Sequence, residues 1–170
     1  SKISPVSKED VKDEFGKKIK FILDGGRSKI GLESTIISLV NKPEILRLGG
    51  TEIKKIKKII KSDVKYNNKK KKIDSPGQGK VHYSPGIPIR LNANEANQDE
   101  AFILIKKRKL SGKNFYYLSK NKNLKNAAKN LYKTLRKIKK RKFKSIAVEK
   151  IPNKGFGEVI NDRLLRASKF

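Results

Sequence analysis

Residues 21–50 read FILDGGRSKIGLESTIISLVNKPEILRLGG, and this stretch decides the fold. It holds three short β-type runs, Phe21–Leu23, Thr35–Val40 and Glu44–Leu46, each bordered by small or polar groups. Asp24-Gly25-Gly26 closes the first run and signals a turn. Gly31-Leu32-Glu33-Ser34 leads into the second, and Arg47 with Gly49-Gly50 closes the third. Glycine lets a backbone approach a ligand closely, a hydroxyl directs one hydrogen bond, and a guanidinium clamps phosphate in a plane. Polar groups gathered at strand ends of one sheet commonly form a pocket. From the residues alone the pattern is an anion-binding edge without a named reaction. Ser34 could equally satisfy a strand end, and the two glycines could serve only the turn. Arg47 lies among Leu46, Leu48 and Gly49, where a charge requires a partner.

Working outward, Ser4-Pro5 followed by Glu9-Asp10 predicts a helix start capped by Ser4, with Val6, Val11 and Phe15 inward and Gly16 at its end. Lys18–Leu23 alternates as a buried strand would. Thr51–Ile60 is amphipathic, with Ile53, Ile56 and Ile60 on one face and lysines on the other. From Lys61 to Pro88 the chain reads as a linker, with Asn67-Asn68 and Lys69–Lys72 as a solvated tract and Ser75-Pro76-Gly77 as a turn. Further on, Ala101–Ile105, Phe115–Leu118 and Ser145–Val148 are strand-like. Leu124–Lys140 is a helix with Ala127, Ala128, Leu131, Leu135 and Ile138 inward, and Glu158–Ser168 is a terminal helix carrying Val159, Ile160, Leu164 and Leu165. Alternating strands and helices predict an open, partly parallel sheet. Gly155-Phe156-Gly157 is read as a turn rather than an anion site.

Lys plus Arg total 44 against 16 Asp plus Glu in 170 residues, a formal net charge of +28. Such a charge permits contact with a polyanion such as RNA. The excess is mostly lysine spread through loops and helices, with arginine only at positions 27, 47, 90, 108, 136, 141, 163 and 166, so no single basic stripe stands out. We therefore read it as compositional. Absence of cysteine excludes disulfide and thiolate chemistry, and the lone His82 argues against a histidine-built metal site. No apolar run reaches the ~18 residues of a membrane span. The opening Ser1-Lys2-Ile3-Ser4-Pro5 carries no signal-peptide pattern and reads as a cut through a longer, cytoplasmic protein.

Asp24-Gly25-Gly26, then Gly31-Leu-Glu-Ser-Thr-Ile-Ile37, then Pro43-x-Ile-Leu-Arg47-x-Gly49, resembles the second half of the YrdC-like catalytic domain of threonylcarbamoyl-AMP synthases. Ser75-Pro76-Gly77 with His82-Tyr83-Ser84-Pro85 resembles the interdomain linker of the long, two-domain members, and Gly155–Leu164 resembles the closing segment of their second domain. Val81 stands where the family usually carries Arg, and Ser84 where it carries Ala. The resemblance implies an α/β fold: the C-terminal part of a twisted-sheet catalytic domain over residues 1–61, a linker or lid over 62–88, and a small Rossmann-like α/β domain over 89–170. It implies a nucleotidyltransferase that condenses ATP, L-threonine and bicarbonate into threonylcarbamoyl-AMP and pyrophosphate for tRNA modification. The same resemblance assigns Ser34 to threonine, Val6, Arg47, His82 and Tyr83 to ATP, and Asp24, Gly25, Gly26 and Thr35 to the pocket lining. Mg²⁺ enters as the ATP complex, with no tightly bound cofactor and no metal ligand, and the tRNA or the tRNA threonylcarbamoyl-transferase machinery lies downstream. The family's upstream Lys-x-Arg and Ser-x-Asn motifs do not occur in these residues, so this polypeptide alone is expected to be inactive. The alternative is a basic tRNA- or RNA-binding module without catalysis.

Overall fold

The computed structural model describes residues 2–40, 42–66, 75–77, 79, 82–109 and 112–169. In chain order these form α1 (Lys8–Phe15) with a 3-10 turn (Gly16–Lys18), β1 (Ile36–Ser38), β2 (Glu44–Arg47), α2 (Ile53–Ile60) and β3 (Lys65–Tyr66). The second half follows as β4 (Ile89–Arg90), β5 (Glu100–Lys106), β6 (Phe115–Ser119), α3 (Leu124–Lys139), β7 (Ser145–Val148) and α4 (Phe156–Ala167). A mixed three-stranded sheet runs β1-β2-β3, and a four-stranded sheet runs β4-β7-β5-β6. In the first, β1 is antiparallel to β2 with Ile36 opposite Arg47 and a register irregularity between Ile36 and Ile37. The second is parallel at every pairing, as alternating strands and helices require.

The parallel sheet is buried on both faces, which is why β5 reads as a continuous apolar run. Ala101, Ile103 and Ile105 face the helices, where Ala127, Ala128, Leu131, Leu135 and Ile138 of α3 meet Ile160 and Leu164 of α4. Phe102 and Leu104 point the other way, with Ala93 and Ala147. A satellite cluster under the first sheet joins Ile45, Leu48 and Val64 to Ile53, Ile56 and Ile60 of α2, and it includes Val159 of α4. Ile3 and Val6, at the other end of the chain, belong to the main core. The terminal helix is thus anchored in both apolar clusters at once.

Several expectations are corrected. Phe21–Leu23 is not a strand: Phe21 is 88% and Leu23 98% exposed, and the three-stranded order leaves no ladder for this run to join. Strand propensity without a hydrogen-bonding neighbour does not make a strand. The cap of α1 is Ser7, whose side chain accepts from the Asp10 N–H, not Ser4. Phe15 is exposed because α1 docks on α3 through its acidic side, with Asp10 and Glu14 beside Arg136 and Asp13 on Lys140. Leu165 also faces outward, one position past the buried stripe of α4. Within the stretch read as linker, Lys65–Tyr66 adds a parallel strand to β2, and just beyond it Ile89–Arg90 adds β4 to the second sheet. Both are too short to show periodicity. The Asn67-Asn68 and Lys69–Lys72 tract, Gln78, Lys80 and Val81 lie outside the described residues. No helix among those described is long and apolar enough to cross a membrane.

Candidate functional site

The two motifs of the opening stretch meet at the end of β2. Arg47 donates from Nε to the Ser34 carbonyl at 3.1 Å, from Nη2 to Ser34 Oγ at 3.0 Å, and from Nη1 to the Pro76 carbonyl at 3.3 Å. A planar guanidinium spans these acceptors because its N–H vectors are fixed in a fork. Ser34 is exposed and Arg47 half-buried, so the hydroxyl and the fork present their edges to solvent. Close approach of the backbones makes this possible. The Gly50 N–H donates to the Glu33 carbonyl at 2.8 Å, and a Cβ on Gly49 would collide with the Glu33 and Ser34 backbone. Any side chain there would push the arginine strand off the serine strand, which is the physical reason for glycine at position 49.

The segment after the first sheet arrives on top. Gly77 has φ +85°, and a Cβ there would meet the Tyr83 hydroxyl and stand 3.2 Å from Arg47 Cδ. Gly77 is therefore wedged between Tyr83 and Arg47. Tyr83 is 1% exposed, its ring 5.7 Å from that of Tyr132 and 4.0 Å from that of His82. Burial pushes the Tyr83 phenol up and the half-buried His82 imidazole down from their ordinary values. His82 Nδ1 and Tyr83 Oη are buried atoms without a hydrogen-bond partner among the described residues. Such groups gain when a polar ligand arrives to pair them.

Other sequence-predicted residues fall elsewhere. Thr35 Oγ1 donates to the Thr51 carbonyl and accepts from the Thr51 N–H, so its hydroxyl ties β1 to the start of α2. Asp24-Gly25-Gly26 forms an exposed turn closed by the Gly26 N–H on Asp24 Oδ1, with Asp24 paired to Lys8 at 2.7 Å. Val6 buries its side chain in the main core, while its N–H goes to Asp10 and its carbonyl accepts from Ser28. Among the described residues neither the Asp24-Gly25-Gly26 turn nor Val6 is hydrogen-bonded to the Ser34–Arg47 pair. A separate cavity of about 470 Å³, lined by Tyr66, Leu91, Glu149, Glu158, Asn161 and Asp162 among others, contains neither Ser34 nor Arg47. Among the described residues no group of three acidic or histidine side chains converges on a possible metal position.

Sequence reasoning passed over the charged knot beneath the site. Arg163 of α4 is 1% exposed and lies 3.1 Å from Glu33 Oε2 through Nη2. Glu33 also accepts from Ser4 Oγ at 2.5 Å and from Tyr132 Oη at 2.9 Å. Burial pushes its carboxyl up, but the Arg163 charge and the donated hydrogen bonds outweigh that, and the carboxyl sits below its usual range. A signal was present in the sequence. Arg163 falls on the same helical stripe as Val159, Ile160, Leu164 and Ala167, and a guanidinium on a buried stripe must have a carboxylate or carbonyl partner.

Residues 51–169 match the family described as threonylcarbamoyl-AMP synthase, C-terminal domain, and residues 1–49 match one described as telomere recombination. The threonylcarbamoyl-AMP synthase of Pyrococcus abyssi is 30% identical over 190 residues, covering 99% of this chain and 55% of that one. That of Bacillus subtilis is 28% identical over 188 residues, covering 98% and 54%. The fold is similar to the crystal structure of Pyrococcus abyssi Sua5 complexed with L-threonine, with a TM-score of 0.83 at 28% identity over 98% of this chain and 54% of that one. A variant of the same protein with a histidine and the adjacent tyrosine replaced by alanine gives 0.80 at 27% identity, over the same shares of the two chains. The chain spans about half the length of these relatives. With matching motifs, matching topology and a family model that covers most of its residues, the chain belongs to the threonylcarbamoyl-AMP synthase family.

Proposed function

We propose that this chain contributes the Ser34–Arg47 side of an L-threonylcarbamoyladenylate synthase, which joins ATP, L-threonine and bicarbonate into threonylcarbamoyl-AMP and releases pyrophosphate. Residues 1–61 belong to the catalytic unit, 62–88 to the linker that crosses it, and 89–170 to a Rossmann-like unit beside it. Ser34 Oγ orients L-threonine, and Arg47 opposes phosphate charge on ATP, which enters as its Mg²⁺ complex. His82 and Tyr83 close over the nucleotide, where exclusion of water protects a carbamate that hydrolyses readily. Asp24, Gly25 and Gly26 border the approach, and Thr35 and Val6 hold the strand and helix behind. The product serves tRNA threonylcarbamoyladenosine formation in the cytoplasm, passed to the transferase machinery that acts on tRNA.

The observation that carries this reading is the 3.0 Å contact between Arg47 Nη2 and Ser34 Oγ, with the Pro76 carbonyl on the same guanidinium. One planar cation and one hydroxyl are presented together beneath a segment ending in buried polar atoms that lack a hydrogen-bond partner among the described residues. A carboxylate or phosphate could take over the fork without moving either strand. Calorimetric titration with L-threonine tests it. Ser34→Ala should weaken binding about tenfold, near the ~1.5 kcal/mol upper end for one neutral hydrogen bond, while the unfolding midpoint stays in place. Equal binding by the wild type and Ser34→Ala would remove Ser34 from the site.

A further inference from the structure

We infer that Arg163, in the last helix, is a positioning residue for the Ser34–Arg47 site, holding the backbone on both sides of it through one buried guanidinium. This rests on the assignment of Ser34 and Arg47 to substrate.

The connectivity is direct. Arg163 Nε donates to Glu33 Oε2 at 3.2 Å and lies 3.1 Å from Tyr132 Oη. Its Nη2 donates to the Leu48 carbonyl at 2.5 Å and pairs with Glu33 at 3.1 Å, while Nη1 takes Asp162 at 2.5 Å. Cζ stands 4.7 Å from the centroid of the Tyr83 ring. Glu33 immediately precedes Ser34, and Leu48 immediately follows Arg47. Tyr83 is the residue against which Gly77 rests. A single planar group therefore touches the neighbour of the threonine-facing hydroxyl, the neighbour of the phosphate-facing cation, and the roof.

Tyr132 of α3 reinforces only one of these arms, since its hydroxyl donates to Glu33 and not to Leu48. A guanidinium reaches carboxylate and carbonyl together because its donors are fixed in one plane. A lysine ammonium offers a point charge that satisfies one of them at a time. Asp162 and Tyr83 complete the surroundings of Arg163, so the group is held on every side and has no freedom to reorient. Position is thereby transmitted from the closing helix to strand ends far from it in sequence.

The arms predict different signatures. Arg163→Lys should weaken both L-threonine and ATP binding by about tenfold. Tyr132→Phe, which removes a donor to Glu33 and an acceptor of Arg163 Nε but leaves the Arg163–Leu48 bond in place, should weaken L-threonine about threefold and leave ATP within twofold. Backbone hydrogen exchange gives a readout independent of ligand: the Gly50 N–H, bonded to the Glu33 carbonyl, should exchange at least tenfold faster in Arg163→Lys while amides of β5 keep their rates. A role confined to stability would accelerate β5 equally and leave both affinities of Arg163→Lys at their wild-type values, overturning the inference. Unaltered Gly50 exchange with unaltered L-threonine binding would overturn it as well. Should Arg163→Lys fail to fold, Tyr132→Phe carries the comparison, because it leaves no unpaired charge. Should the wild type bind no L-threonine, the substrate assignment of Ser34 fails, and the exchange measurement still decides whether Arg163 positions Glu33.

Discussion

Gly77 and Gly86 share φ +85°, yet only Gly77 is hemmed in, so alanine at the two positions separates packing from backbone strain. At Gly86 a Cβ finds nothing within 4 Å. Gly86→Ala therefore bears the left-handed penalty alone, roughly 1–2 kcal/mol, offset by ~0.4–1 kcal/mol from the stiffer unfolded chain. Its net cost lies between about 0 and about 1.6 kcal/mol. Gly77→Ala bears the same strain and also drives a methyl into the Tyr83 hydroxyl and to 3.2 Å from Arg47 Cδ. Tyr83 is fully buried against Tyr132 and Arg163 and cannot swing aside, so overpacking adds roughly 1–3 kcal/mol unless the 75–77 segment lifts. Thermal unfolding should place Gly77→Ala about 2–12 °C below Gly86→Ala, using ~2–4 °C per kcal/mol for a chain of this size. If the segment lifts instead, the stability gap closes, but Arg47 loses its Pro76 acceptor and ATP binding weakens in Gly77→Ala alone. Two variants with the same midpoint and the same ATP affinity would refute the placement of Gly77 between Tyr83 and Arg47.

Arg47→Lys keeps the charge but loses the fork that reaches the Ser34 and Pro76 oxygens together; ATP affinity by calorimetry should fall about tenfold, with a stability change under about 1 kcal/mol. Glu100 is held near a pKa of about 2, first by the hydrogen bond from Arg90 and then by Asn97 and Ser145. A depressed carboxyl stabilises the fold above its ordinary 4.5 and ceases to do so as pH falls toward 2. Between pH 6 and 3 Glu100 should contribute about 1–2 kcal/mol of the acid loss seen in urea midpoints, discounted because the Arg90 side chain is 45% exposed, and Glu100→Gln should lose that much less than the wild type. Tyr66, donating to Asp162 at 2.7 Å, has its phenol pushed up to about 12, chiefly by burial. Its contribution is complete below pH 10 and lost as pH rises through 12, so Tyr66→Phe should be less sensitive than the wild type over that alkaline window.

Residues with a local signature were readable from the chain. The α3 stripe of Ala127, Ala128, Leu131, Leu135 and Ile138 and the β7 run Ser145–Val148 depend on periodicity and continuity that a few neighbouring residues display. Ser34 and Arg47 border a β-branched and an aliphatic run, where a polar group stands out, but it was the family resemblance that singled out Ser34, since a serine ahead of a strand can equally satisfy the strand end. Short elements were not readable. A strand of two residues such as Lys65–Tyr66 exists only because β2 offers a ladder, and Phe21–Leu23 fails to be one because no ladder reaches it.

The amino-acid order on its own determined the α/β class, the long helices, the family motifs and the pairing candidates Ser34 and Arg47. It did so because helical and strand periods, turn glycines and stranded polar groups are properties of contiguous residues. Only the folded chain decided that α1 docks through carboxylates, that Ser4 serves Glu33 instead of a helix, and that Arg163 lies under the site. Glu33 and Arg163 are 130 positions apart, and nothing local to either residue names the other. A buried charge states that it needs a partner, whereas which partner it finds depends on how the sheets and helices stack, since Coulomb attraction and hydrogen bonding act through space and not along the chain.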